Sequence, residues 1–178
     1  MRVHVHVFLA VLVTLAGCAR GGRSEPAPAP VHVAPTAPRD AAVGAAGDSA
    51  TARLMALLEP CRRAALAAWP EARQRFLAGL PAQQTLFVTT RLRDAVGRVE
   101  QVFVAVDHID GGRVAGRLWS EVTTVVGYRR GQPLALAEAD VVDWMISRPD
   151  GSEEGNWMGK FIDAYQATGA PPVGGCGP

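Results

Sequence analysis

The sequence is short of the residues on which familiar enzymes run. Lys160 is its one lysine among eighteen basic residues, and of four histidines only His108 lies beyond the N-terminal region that holds His4, His6 and His32. A single histidine builds no Ser/His/Asp or Cys/His set. The usual zinc site takes several His or Cys ligands. There is no GxSxG elbow, no HExxH pair and no phosphate-binding P-loop. No metal and no cofactor is therefore expected, and Asp107-His108-Ile109-Asp110 reads as a polar hairpin turn rather than a ligand set. Charge of one sign is lacking too: Lys+Arg 18 stands against Asp+Glu 17, a net charge of +1. That leaves no strong field to draw in nucleic acid. No apolar run reaches the roughly 20 residues of a membrane-spanning helix.

What is present divides the 178 residues into one domain with appendages. Arg2 supplies a short positive region, and Val7 to Gly17 is an apolar run too short to span a bilayer and suited to a signal sequence. It ends in Leu15-Ala16-Gly17-Cys18. This end resembles the lipobox of bacterial lipoproteins. The resemblance implies that residues 1–17 are a signal peptide and that Cys18 becomes a lipidated N-terminus. Its several acyl chains, palmitate among them, would anchor the protein to a membrane, since one chain alone holds only marginally. By the same resemblance, Ala19 rather than Asp after the cysteine implies the outer membrane, with the domain facing the periplasm.

Residues 18–47 are rich in Ala, Pro, Gly and Arg and carry no hydrophobic period. Such a segment cannot bury enough surface to offset its chain entropy and reads as a disordered tether. Residues 48–166 should form the folded domain, and 167–178 a Gly/Pro-rich tail. Outside the cytosol, Cys61 and Cys176 form an even pair in an oxidising compartment, which invites a disulfide. Two independent thiols are the alternative.

Asp48-Ser49 can cap a helix. Leu54, Leu57, Leu58 and Cys61 follow at helical spacing, continued by Ala65 and Ala68. Pro60 predicts a kink or the first turn of a second helix, and Pro70 opens a short helix that stops at Gly79. After Pro81 the pattern alternates. Leu86, Val88 and Leu92 share a face, as do Val102, Val104 and Val106, and then Val114 and Leu118. DHIDGG between the last two sets is a hairpin signal. EVTTVVGY and QPLALAEADVVDWMI supply one or two strands more. The expected fold is α+β: N-terminal helices on an antiparallel sheet of four to five strands, open or rolled toward a barrel, closed by a C-terminal helix.

Two places draw attention as candidate sites. Asp143 lies in the apolar run Val141-Val142-Asp143-Trp144-Met145-Ile146, where alternation groups it with Val141 and Met145 and sets Trp144 opposite. A buried carboxylate needs backbone N–H groups or an arginine; structural pairing and an acid–base or ligand role both fit. The second place is Pro149 to Tyr165. Asn156 is a good N-cap for a helix whose one side gathers Trp157, Met158, Phe161, Ile162 and Tyr165, with Lys160 and Asp163 spaced to pair on the other. Glu153 and Glu154 precede its positive end. A closing helix explains most of this, and what it leaves over makes Asp143, Trp144, Glu154, Asn156 and Lys160 the candidate ligand-binding residues.

From about Pro70 to Asp163 the chain resembles the YegJ-like family of bacterial domains of unknown function. The pieces are Leu86-Phe87-Val88 with Arg91, Glu100-Gln101-Val102-Phe103-Val104, Gly116-Arg117-Leu118 and Gly131-Gln132. The most specific are Asp143-Trp144-Met145 and Glu154-Gly155-Asn156-Trp157-Met158-Gly159-Lys160. At Trp119-Ser120-Glu121 the chain departs from the Asn-containing turn of other members. The resemblance implies an α+β domain and brings no catalytic residues. Three functions compete. One is a non-catalytic envelope module that binds a protein or cell-wall component. The second is an envelope hydrolase with Asp143 and Glu154 as its acid–base pair. The third is an immunity or accessory protein for a secreted effector.

Overall fold

The computed structural model describes residues 43–44 and 49–176. The segment read as a signal peptide, Cys18 and nearly all of the segment read as a tether lie outside them. The elements run β1 (Val43–Gly44), α1 (Ser49–Ala78), β2 (Thr85–Arg93), β3 (Val99–Asp110), β4 (Arg113–Leu118) and β5 (Pro133–Ala137). A 3₁₀ turn (Glu138–Asp140), β6 (Asp143–Ser147), β7 (Glu153–Gly155) and α2 (Trp157–Thr168) complete the order. The class is α+β. The sheet is antiparallel throughout, in the spatial order β5-β4-β3-β2-β6-β7, and it stays open. Its main path has six strands, against an expected four to five. Val43 and Gly44 pair with Gln101 and Glu100 of β3, so the segment read as tether already contributes a strand. No described helix is long and apolar enough to cross a membrane.

The helical region differs from the sequence reading. α1 is one helix of 30 residues that contains both Pro60 and Pro70. Each proline removes a backbone hydrogen bond and crowds the preceding turn. Yet Leu58, Cys61, Ala65, Trp69 and Ala72 recur every three to four residues and are all buried, while both prolines face solvent. Continuous burial of that stripe outweighs two local breaks. The helix ends at Ala78 before Gly79, whose φ of +96° suits glycine.

One face of the sheet meets both helices. Leu86, Val88, Val104, Val106, Trp144 and Ile146 pack there with the α1 stripe and with Trp157, Met158, Phe161 and Ile162 of α2. Trp144 and Trp157 meet edge to face at 5.0 Å, and the Trp144 indole N–H donates to the Ala65 carbonyl at 2.9 Å. On the opposite face Phe87, Phe103, Ala105 and Met145 form a second apolar cluster against Trp119. The β3–β4 hairpin turns through Gly111 and Gly112, both at positive φ, as DHIDGG predicts.

Residues 119–132 contain no strand, although EVTTVVGY reads as one. The reason is Glu100, which is fully buried on β3. One carboxylate oxygen accepts the Thr123 N–H at 2.8 Å and the Thr123 hydroxyl at 3.1 Å. The other accepts the N–H groups of Thr124 at 2.7 Å and Val125 at 2.9 Å. Three consecutive amides aimed at one side chain curl the backbone away from the extended form. The loop then lays Val122, Val125 and Tyr128 over Leu92, Val102 and Leu118. Burial pushes the Glu100 pKa up, but those hydrogen bonds outweigh it and hold the group below the usual glutamate range.

Candidate functional site

The order of β6, β7 and α2 places the candidate residues in one region. β6 and β7 pair with Met145 opposite Gly155 and Ile146 opposite Glu154. Continuing that register would bring Trp157 opposite Asp143, and there the chain turns into α2 instead. Asp143 is 1% exposed. Its Oδ2 accepts the Met158 N–H at 2.8 Å and its Oδ1 accepts the Trp144 N–H at 2.8 Å. The carboxylate of one strand thus satisfies an open N–H of the helix that follows two elements later. Burial pushes the Asp143 pKa up to about 6, against the backbone N–H groups of Met158, Trp144 and Trp157 and the charge of Lys160, which pull it down. The strand begins at Asp143, so Val141 escapes the expected alternation and joins the helix-side core.

Asn156 stands at the N-cap position but does not cap through its side chain. It adopts φ 57° and ψ 44°, the left-handed region, and makes no side-chain cap bond. Its amide donates to Glu153 Oε2 at 2.9 Å, and its backbone N–H donates to the Trp144 carbonyl at 2.7 Å. That conformation turns the side chain off the helix axis, and Asp143 does the capping. Gly159 leaves the space the Asn156 side chain fills: a Cβ there would run into the Asn156 carboxamide. Gly155, at φ +79°, lies so close to the Trp144 carbonyl and ring that a Cβ would collide with both. Lys160 Nζ donates to the Glu153 carbonyl at 3.5 Å; no pairing of Lys160 with Asp163 is found among the described residues. Trp144 is buried in the core.

Glu154 points elsewhere. Residues paired across strands share a face, so Glu154 lies with Ile146 on the helix side, while Asp143 lies with Met145 on the other. Arg75 of α1 grips Glu154 in a two-pronged contact, 2.6 Å to Oε1 and 2.9 Å to Oε2. Arg148 donates to the same Oε2 at 2.6 Å. The Arg75 hydrogen bonds, opposed by burial and helped by the charges of Arg75, Arg148 and Lys160, hold Glu154 below the usual range. Beside this cluster opens a concavity of about 350 Å³, walled by Leu80, Pro81 and Gln84 as well as the two arginines and Glu154.

The structure therefore brings Asp143, Trp144, Asn156 and Lys160 together around the start of α2, while Glu154 is held by Arg75 and Arg148; the charge of Lys160 acts on both carboxylates. Arg75 and Arg148 were missed as site residues. Arg75 sits 79 residues from Glu154, and nothing local marks it off from the other arginines of α1. Glu100 was missed as well, though it did carry a signal: it shares strand parity with Val102, Val104 and Val106. Cys61 and Cys176 form a disulfide with Cα atoms 4.9 Å apart. Comparison with protein-family models, with curated proteins and with solved structures gave no match.

Proposed function

We propose that this chain is a lipid-anchored protein of the bacterial cell envelope whose domain binds rather than catalyses. In this reading Cys18 carries the acyl chains and residues 19–42 link the anchor to the sheet. The anchor lies in the outer membrane facing the periplasm, and the partner is an envelope protein or a cell-wall component. The YegJ-like kinship belongs to the same proposal.

The observation that carries it is the Cys61–Cys176 pair. The two cysteines are 115 residues apart in sequence, and the pairing fastens the C-terminal tail to a fully buried position on α1. Such a bond persists in an oxidising compartment and not in a reducing cytosol. The lipobox-like end of the apolar run supports the same address. Binding is favoured over hydrolysis by the occupancy of the two carboxylates. Both oxygens of Asp143 accept backbone N–H groups, both oxygens of Glu154 accept arginine N–H groups, and strand parity sets the two side chains on opposite faces. A glycoside-type pair needs both in one cleft.

The test is metabolic labelling with an alkyne-bearing palmitate, for the wild type and for Cys18→Ala, followed by membrane fractionation. Label and membrane retention that both depend on Cys18 are expected. A protein that takes no label at Cys18 ends the anchoring reading. Thiol alkylation of the same preparation before reduction should leave Cys61 and Cys176 unmodified, and free thiols at both would remove the argument for export.

A further inference from the structure

We infer that Arg75 and Arg148 form a carboxylate-binding site in which Glu154 is a built-in occupant, and that the site takes the free C-terminal carboxylate of a peptide. This deepens the binding-module reading above and rests on it.

Three observations converge. The first is the donor count. A guanidinium has five N–H donors. Glu154 takes two from Arg75, and from Arg148 one goes to Glu154 and one to the Ser152 hydroxyl at 3.4 Å. Three N–H donors of each arginine are left without an acceptor among the described residues. The second is charge. Two guanidinium groups line the concavity against the one carboxylate of Glu154, and Lys160 adds to the field at Glu154; Glu71 and Asp150, outside the lining, offset part of the charge of Arg75 and Arg148. The third is shape. The two-pronged Arg75–Glu154 contact shows that this place already fits a planar carboxylate, the group that guanidinium forks match best.

The walls narrow the ligand further. Leu80 and Pro81 offer apolar surface beside the arginines, and the Gln84 carboxamide can both donate and accept. A carboxylate next to a small apolar side chain, with one peptide bond behind it, satisfies all three. A concavity of about 350 Å³ is at the small end of ligand sites and suits one or two residues rather than a folded surface. Glu154 competes for the same donors, so the wild type should bind weakly, and removing that carboxylate should strengthen binding.

The experiment is calorimetric titration of the full-length protein with N-acetyl-dialanine and, separately, with the same dipeptide as its C-terminal amide. The wild type should bind the acid in the millimolar range and not the amide. Glu154→Gln should bind the acid at least about tenfold tighter, a change worth about one strong polar contact, and still ignore the amide. Arg148→Ala should lose the acid. Thermal midpoints of each variant report folding. If Glu154→Gln fails to fold, Arg148→Ala, altered at a partly exposed side chain, still decides the matter against the wild type. Equal binding of acid and amide, no binding by the wild type, or no gain in a folded Glu154→Gln would each overturn the assignment. Failure here with intact acylation at Cys18 removes the ligand and leaves the envelope reading; loss of acylation with the dipeptide still bound does the reverse.

Discussion

Asp143 Oδ2 accepts the backbone N–H of Met158 at 2.8 Å, so a strand residue caps a helix that starts fourteen positions further along the chain. This single contact ties the start of β6 to the start of α2. It also gives a rationale for a carboxylate inside an apolar run. The helix presents unsatisfied N–H groups and the positive end of its dipole to a place from which water is excluded.

Asp143 should leave a signature in the pH dependence of stability. Its folded pKa is about 6, against about 3.9 for an unfolded aspartate. Between those values the folded state holds the extra proton. Stability therefore rises as pH falls from about 6 to about 4, by up to ~3 kcal/mol. Glu100 and Glu154, whose values are lowered, act with the opposite sign: their contribution is present above the ordinary glutamate pKa and is lost on further acidification. Urea unfolding midpoints across this range should show the rise in the wild type and not in Asp143→Asn. A rise that survives the substitution would assign the proton to another group.

Glu100→Gln should free the loop over residues 119–132. An amide offers one acceptor oxygen and turns an NH₂ toward amides that also donate. The expected cost is about 2–4 kcal/mol, from buried N–H groups left unpaired. Hydrogen exchange at the amides of Thr123, Thr124 and Val125 should speed up more than exchange in β2. Unchanged protection at those three amides would mean the loop is held by Val122 and Val125 packing alone.

Gly155 should tolerate no side chain. Gly155→Ala combines a left-handed backbone with a collision against the Trp144 carbonyl and ring, at an expected cost of about 2–4 kcal/mol. Gly111→Ala is the matched control. Its φ is +53° and nothing lies within 4 Å of the added carbon, so only the backbone cost of about 1 kcal/mol remains. Equal thermal midpoints for the two variants would contradict the close approach of β7 to Trp144.

Reduction of the disulfide should destabilise the domain without unravelling the sheet. The bond joins residues separated by 115 positions, and chain entropy assigns about 4–5 kcal/mol to a loop of that length. Cys176→Ser should lower the midpoint relative to the oxidised wild type and make it insensitive to reductant. A midpoint that still shifts with reductant in this variant would locate the effect in another cysteine.

Alternation and spacing determined much of this protein without help. The faces of β2, β3 and β4, the glycine turn at Gly111-Gly112, the end of α1 at Gly79 and the apolar side of α2 all follow from local geometry. They require only that each residue meet the same environment as its neighbour two or four positions away. Three things were decided by tertiary structure. α1 runs through Pro60 and Pro70 because burial of a stripe is summed over the whole helix, whereas a proline break is local. EVTTVVGY becomes a loop because Glu100, more than twenty positions earlier, offers its amides a better acceptor than a neighbouring strand would. Asn156 yields the cap to Asp143, and Glu154 falls to Arg75 and Arg148, because partners for buried or half-buried charge are chosen by distance in space. Sequence spacing carries no record of that distance, so a carboxylate's need for a partner can be read from the chain while the partner's identity cannot.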